Sequence, residues 1–202
     1  MKSFAELRKG IENCTKCSLY KTRTNVVLDR KPQKTVLFLL GEAPGGHEDM
    51  VSGEPFSGEA GKILTDFLAQ IDLDRKHCYL GNTVKCRPTK PSSRGRFGPY
   101  ANRKPTSAEI KSCSSWVEAE IGLVKPKVIA TLGGVPLSTI LGKQARLEDY
   151  HGKYFYSAKY GCFIFPLYHP ASIIYRRQLA QTYAQDVFKL KEFLQELKKQ
   201  GN

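Results

Sequence analysis

Six cysteines, at positions 14, 17, 78, 86, 113 and 162, are the residues of this chain best suited to holding a metal. Cys14 and Cys17 form a C-x-x-C pair near the amino end, Cys86 follows an apolar run and Cys113 falls in a helical segment. Thiolates in a reducing compartment suit zinc or an iron–sulfur cluster, and spacing alone does not choose between them. A redox pair is the other use of C-x-x-C, but it sits at a strand-to-helix turn rather than after a first helix. Cys78 and Cys162 lie inside apolar runs and read as core packing, where free cysteine is common.

A second set of reactive side chains stands where apolar runs stop. Thr35 to Leu40 is apolar and leads into Gly41-Glu-Ala-Pro-Gly45; His77 to Val84 contains Asn82; Lys127 to Leu132 ends in Gly133-Gly134; Cys162 to Leu167 ends in Tyr168-His169-Pro170. Each run reads as a buried strand. Between them the periodicity is helical: Phe4 to Asn13, about Gly58 to Ile71, a helix through Val124 opened by the capping box Thr106-Ser-Ala-Glu109, a short one to Leu141, and about Leu179 to Lys199. Strands alternating with helices predict an open, mostly parallel sheet covered on both faces, in which ligands bind beyond the carboxyl ends of the strands. The polar residues at those ends are therefore expected to meet. Thr89 to Arg103, rich in Pro, Gly, Ser and Arg, reads as an exposed basic loop.

The charge favours a polyanionic partner. Lys plus Arg number 32 against 19 Asp plus Glu, a net charge of +13. Such an excess suits nucleic acid; simple solubility and an anionic membrane are the competing readings. No apolar run approaches the roughly 20 residues of a membrane span, and the start, MKSFAELRKG, lacks the apolar core of a signal peptide. A single domain over 1–202, monomeric, cytoplasmic and associated with the nucleoid, is expected.

Taken together, several segments resemble the family-4 uracil-DNA glycosylases, the iron–sulfur branch of that superfamily. Cys14-Thr-Lys-Cys17 with the following residues to Val27 is similar to the family's amino-terminal cysteine segment. Gly41-Glu-Ala-Pro-Gly45, Glu48-Asp49, Gly53-Glu-Pro-Phe56 and Gly58-Glu-Ala-Gly61 are similar to its first motif; Asn82-Thr-Val-Lys-Cys-Arg-Pro88 and His169-Pro-Ala-Ser172 resemble the others. The resemblance implies a three-layer α/β/α sandwich with a four-stranded mostly parallel sheet. It also implies a [4Fe-4S] cluster on Cys14, Cys17, Cys86 and Cys113 that braces loops and takes no part in the reaction. Two departures stand out: one residue more than the motif has between Asp49 and Gly53, and a Cys86–Cys113 interval longer than the pattern.

The resemblance further implies roles. Gly41, Glu42 and Ala43 border the base pocket, Phe56 stacks on uracil, Asn82 pairs with O4 and N3–H, and Glu48 closes the slot near C5. His169 donates to O2 as the base leaves as an anion. Without the resemblance, Asn82 reads equally well as a turn cap, and a lone His is more often structural. Glu42 orients its loop and contacts the base through its backbone. Ala43 stands where a better-known branch has Asp and cannot accept a proton, so a dissociative reaction in which water adds late is the remaining explanation, with Glu42 and Glu48 as the carboxylates that would restore a general base. Ile173, Ile174 and Tyr175 are candidates for a wedge, and Lys85, Arg87, Arg94, Arg96, Arg103, Arg176 and Arg177 for phosphate contacts. A related cross-linking branch carries a histidine in the segment after the third cysteine; Thr89 to Lys104 contains none, so turnover without a covalent adduct is expected. A non-catalytic iron–sulfur module that binds nucleic acid and a zinc-ribbon-like regulator are the readings from other classes.

Overall fold

A computed structural model of the chain describes residues 3–29, 34–93 and 95–200, with the side chains of Ile174, Tyr175 and Gln200 outside the description. In chain order the elements are α1 (Phe4–Glu12), β1 (Leu37–Gly41), α2 (Glu59–Gln70), β2 (Cys78–Asn82), β3 (Thr89–Pro91), β4 (Tyr100–Asn102) and α3 (Ser107–Val124). Then come β5 (Val128–Leu132), α4 (Gly134–Leu141), β6 (Phe155–Ser157), β7 (Cys162–Leu167), α5 (Pro170–Tyr175) and α6 (Ala180–Gln200).

The main sheet has the order β2-β1-β5-β7-β6. Its first four strands are parallel, and β6 pairs antiparallel with β7. The expectation of four strands was one short. The fifth, Phe155–Ser157, is a three-residue edge strand, too brief to show alternation in the sequence.

Alternation of side chains across the sheet sorts the core into two layers. Leu37, Leu39, Leu80, Ala130 and Phe165 face Leu64, Phe67 and Leu68 of α2 and Val187, Leu190 and Phe193 of α6. Phe38, Leu40, Ile129 and Ile164 face Val117, Ile121 and Val124 of α3 and Ile140 of α4. Each large apolar side chain so buried contributes about 1.5–3 kcal/mol. A third cluster joins Leu7 and Ile11 of α1 to Leu28, Val84, Cys113 and Trp116. The capping box of α3 is present: Glu109 N–H donates to Thr106 Oγ1 (3.2 Å) and Thr106 N–H to Glu109 Oε2 (2.8 Å).

The segment read as an exposed basic loop is instead an antiparallel hairpin, β3 with β4. Two arginines hold its base. Arg87 donates to Asn102 Oδ1 (2.7 Å), and Arg103 donates to Thr89 O (2.9 Å) and to both oxygens of Glu109 (2.6 and 2.8 Å). Arg94 lies outside the described residues.

Candidate active site

The carboxyl ends of β1, β2 and β7 bring Gly41, Asn82 and His169 to one end of the sheet, and the loop after β1 returns Phe56 to the same place. A Cβ on Gly41 would stand 2.5 Å from Asn82 Oδ1 and 2.5 Å from Phe56 Cζ. Only glycine leaves room for ring edge and amide to meet there. The Phe56 and His169 rings lie 6.2 Å apart between centroids, tilted by 30°. Phe56 is 5% exposed and Asn82 3%.

Phe56 takes a left-handed backbone (φ +53°), a conformation a bulky residue avoids unless its surroundings impose it. Arg75, on the turn before β2, donates to Phe56 O (2.8 Å) and Pro55 O (2.7 Å). Gly61 packs beneath, where a Cβ would stand 1.7 Å from Phe56 O. Sequence reasoning missed Arg75, because a basic residue in a polar turn carries no signal of inward bonding.

His169 caps α5. Its Nδ1 accepts the backbone N–H of Ala171 (3.1 Å), so the ring proton of the neutral form belongs on Nε2. Desolvation lowers its pKa to about 4. The imidazole is therefore a neutral Nε2–H donor near neutral pH.

The two carboxylates of the loop have different surroundings. Glu48 is buried; its Oε1 accepts the N–H of Gly58 (3.1 Å) and its Oε2 lies against Gly45. It fastens the loop. Glu42 lines a groove between α3 and α4 with Lys104, Ser107 and Gly134. Burial raises its carboxyl pKa, and Lys104 opposes that. One residue beyond Gly41 in an extended chain, its side chain turns to the opposite sheet face. Ala43 packs against the cluster of α1 and Trp116.

The loop contains a single π turn, Glu48–Ser52, closed by Gly53 N–H to Glu48 O (2.8 Å). Asp49 accepts the N–H groups of Thr24 (2.9 Å) and Asn25 (3.2 Å). His47 Nδ1 and Ser57 Oγ are 3.1 Å apart, and Ser57 and Ser52 share a hydrogen bond of 2.5 Å. The loop is thus pinned at both ends.

Two expected DNA contacts are corrected. Lys85 is 1% exposed and donates to Asn82 O (2.6 Å) and Glu120 Oε2 (2.5 Å), with Tyr79 Oη donating to the other Glu120 oxygen (3.1 Å). Arg87 is 3% exposed and bonded within the hairpin. Both charges are paired inside, so neither side chain reaches a phosphate. Arg103 is likewise bonded to Glu109, whereas Arg96, Arg176 and Arg177 are exposed. Ile173 is half-buried against the α2/α6 core rather than projecting, and Ile174 and Tyr175 have side chains outside the description.

Cys14, Cys17, Cys86 and Cys113 line one pocket together with Arg23, Lys85 and Trp116. Trp116 Nε1 donates to Cys14 Sγ (3.3 Å) and Arg23 to Cys86 Sγ (3.4 Å). Among the described residues, no three His, Cys, Asp or Glu side chains are grouped to hold a single metal ion. The donor set, four thiols with N–H groups on two of the sulfurs, suits a thiolate-held cluster. Cys78 and Cys162 are buried in the core, as expected.

The family model of the uracil DNA glycosylase superfamily matches residues 29–198. The type-4 uracil-DNA glycosylase of Archaeoglobus fulgidus is 34% identical over 198 residues, 95% of this chain and 94% of that one. That of Saccharolobus solfataricus is 35% identical over 191 residues, 91% and 83% of the two chains. The crystal structure of Pedobacter heparinus SMUG2 shares the fold, with a TM-score of 0.52 at 14% identity over 82% of this chain and 77% of the other. The chain belongs to the uracil-DNA glycosylase superfamily, in its type-4 branch.

Proposed function

We propose that this protein excises uracil from DNA by hydrolysing its N-glycosidic bond, leaving an abasic site. The observation that carries the reading is the meeting of Phe56, Asn82 and His169 from three distant parts of the chain. An enzyme acting on a base must first take it out of the stack. Phe56 offers the stacking face. The Asn82 amide donates to O4 and accepts from N3–H, a pattern that cytosine, with an amino group at C4 and no N3 hydrogen, mismatches.

As the bond breaks, the sugar gains positive charge and the base leaves as an anion. His169 Nε2–H is the donor for the charge developing on O2. Its acceptor nitrogen is occupied by Ala171 N–H, so it stabilises without taking a proton. Glu48 holds Gly58 and Glu42 faces the α3–α4 groove, which leaves the dissociative route, with water adding late, as the reading the residues support. Replacing Glu42 or Glu48 singly by Gln is expected to spare the single-turnover rate; a collapse at either site would restore a general base.

Cys14, Cys17, Cys86 and Cys113 would hold a [4Fe-4S] cluster, which supplies bracing and no redox step. Lys85 joins that region to the base reader: it precedes Cys86 and its ammonium holds the carbonyl of Asn82. Exposed Arg176 and Arg177 would meet phosphates beside the slot, contacts that are salt-sensitive and indifferent to sequence. The protein would act as one domain, on DNA in the cytoplasm. Incubation with an oligonucleotide carrying one uracil tests the reading. Alkali-sensitive breaks at that position are expected; intact DNA, or protein left covalently attached on a denaturing gel, would contradict it.

A further inference from the structure

The loop after β1 and the β3–β4 hairpin, far apart in sequence, touch in space. The π turn carries Met50 and Val51 at its tip, 43% and 63% exposed. The tip is held firmly: Gly53 N–H closes the turn, and Asn25 Nδ2 donates to Asp49 O (2.5 Å). The hairpin lays Phe97 on the same loop. A Cβ on Gly46 would stand 2.5 Å from the Phe97 ring, and the ring meets His47 edge-on at 6.3 Å. The sulfur and terminal methyl of Met50 lie 4.0 and 3.9 Å from the Cβ position of Gly98 at the hairpin tip. Arg87 ties the far side, donating to the carbonyls of Phe97 and Tyr100 (3.3 Å each). The π turn and the hairpin therefore build one ridge.

Charge and place identify what the ridge meets. Cys86 to Lys104 contains six Arg or Lys and no Asp or Glu. Arg87 and Arg103 are consumed internally, but Lys90, Arg96 and Lys104 are exposed, and the Arg96 guanidinium lies 5.6 Å from the Phe97 ring centre. Two exposed apolar side chains on a loop that packs against a hairpin carrying exposed cations suit a duplex whose base step has been opened, with apolar groups against the unstacked bases and cations at phosphates. The ridge rises from the ends of β1 and β2. His169 and α5 rise from the end of β7, beyond β5 in the sheet order. The slot thus has a flank on either side, and only paired DNA presents a second strand to the flank away from the extruded nucleotide.

We infer that the π turn and the hairpin form a duplex-gripping ridge, which makes this protein more effective on uracil in double-stranded than in single-stranded DNA. The inference rests on the uracil-excising reading above.

The test is Met50→Ser/Val51→Ser, two surface changes outside the base slot, alongside Phe97→Ala, which loosens the hairpin from the loop. For the double variant, kcat/KM on a uracil-containing duplex should fall by about tenfold while that on the single strand changes by less than about twofold, since only the duplex has a base step for the apolar side chains to hold open. Phe97→Ala should show the same asymmetry. Equal losses on both substrates, or no loss on either, would overturn the ridge. If the wild type cleaved no uracil, the activity would fall separately, and the ridge would be judged by binding to duplex with an abasic site against the matching single strand. Weakening by the double variant of duplex binding alone supports it, and unchanged duplex binding refutes it.

Discussion

The base slot and the cysteine pocket are both assembled from distant residues, but they are held in different ways. In the slot the backbone does the positioning. Gly41 makes room, Phe56 is fixed in a left-handed conformation under Arg75, and the His169 ring is oriented by the amide of Ala171. In the cysteine pocket four side chains converge from α1's end, from the chain after β2 and from α3, with Trp116 and Arg23 as donors to sulfur. The slot is complete as a set of protein groups, whereas the pocket has the donor set of a site finished by an added group. Lys85 is the residue that joins the two regions: it precedes Cys86, and its ammonium donates to the carbonyl of Asn82.

Lys85 is accordingly where the separation of the two regions is most exposed to test. Lys85→Met leaves the Glu120 carboxylate buried without its cation and should destabilise the fold by about 3–5 kcal/mol. Lys85→Met/Glu120→Leu should recover much of that in thermal melting yet cleave uracil more slowly than wild type, because the Asn82 carbonyl has lost its donor. Full recovery of both properties would mean that the pair only fills space. His169→Ala comes next, with an expected loss of about 10²–10³ in the single-turnover rate and no change in visible absorbance of the iron-loaded protein. A change in that absorbance would show the regions to be linked more tightly than the geometry says.

Arg75→Gln removes a charge-assisted clamp worth about 1.5–3 kcal/mol and should slow cleavage by about tenfold or more. In a Phe56→Leu background its effect should shrink, since it acts through that ring; undiminished loss measured in the double variant would assign Arg75 elsewhere. The smallest effect concerns pH. A His169 pKa lowered from 6.5 to about 4 by desolvation keeps the donor neutral, so the rate should show no acid limb near pH 6.5 and should decline only toward about 4. The sign for stability follows: between those values the unfolded chain binds the proton and the folded one does not, so this group favours unfolding progressively as pH falls from 6.5 to 4. A kinetic limb near 6.5 that disappears in His169→Ala would contradict the assignment.

Much of the slot was legible in the sequence because strand ends announce themselves. Four apolar runs stop at glycine, asparagine and histidine, and a parallel sheet gathers such ends. Asn82 and His169 were found that way; Phe56 was found through the motif rather than through any periodicity. Inward charges were not legible. Lys85 and Arg87 sit in a basic stretch that reads as a phosphate contact, and only the three-dimensional structure shows Glu120, one helix away, paired with Lys85. The bonding of the two carboxylates was not legible either: one step along the extended chain turns the Glu42 side chain to the α3–α4 groove, and Glu48 accepts the N–H of Gly58. The strands β3, β4 and β6 have three residues each, below the length at which alternation is a signal.

The central claim is that an imidazole, an amide and a phenyl ring read one extruded base. The most direct measurement is a crystal structure with uracil or uracil-containing DNA bound. The account predicts the pyrimidine stacked on Phe56, its O4 and N3 paired with the Asn82 amide, and His169 Nε2 at hydrogen-bond distance from O2. A base bound away from these three, or His169 meeting it through Nδ1, would contradict it.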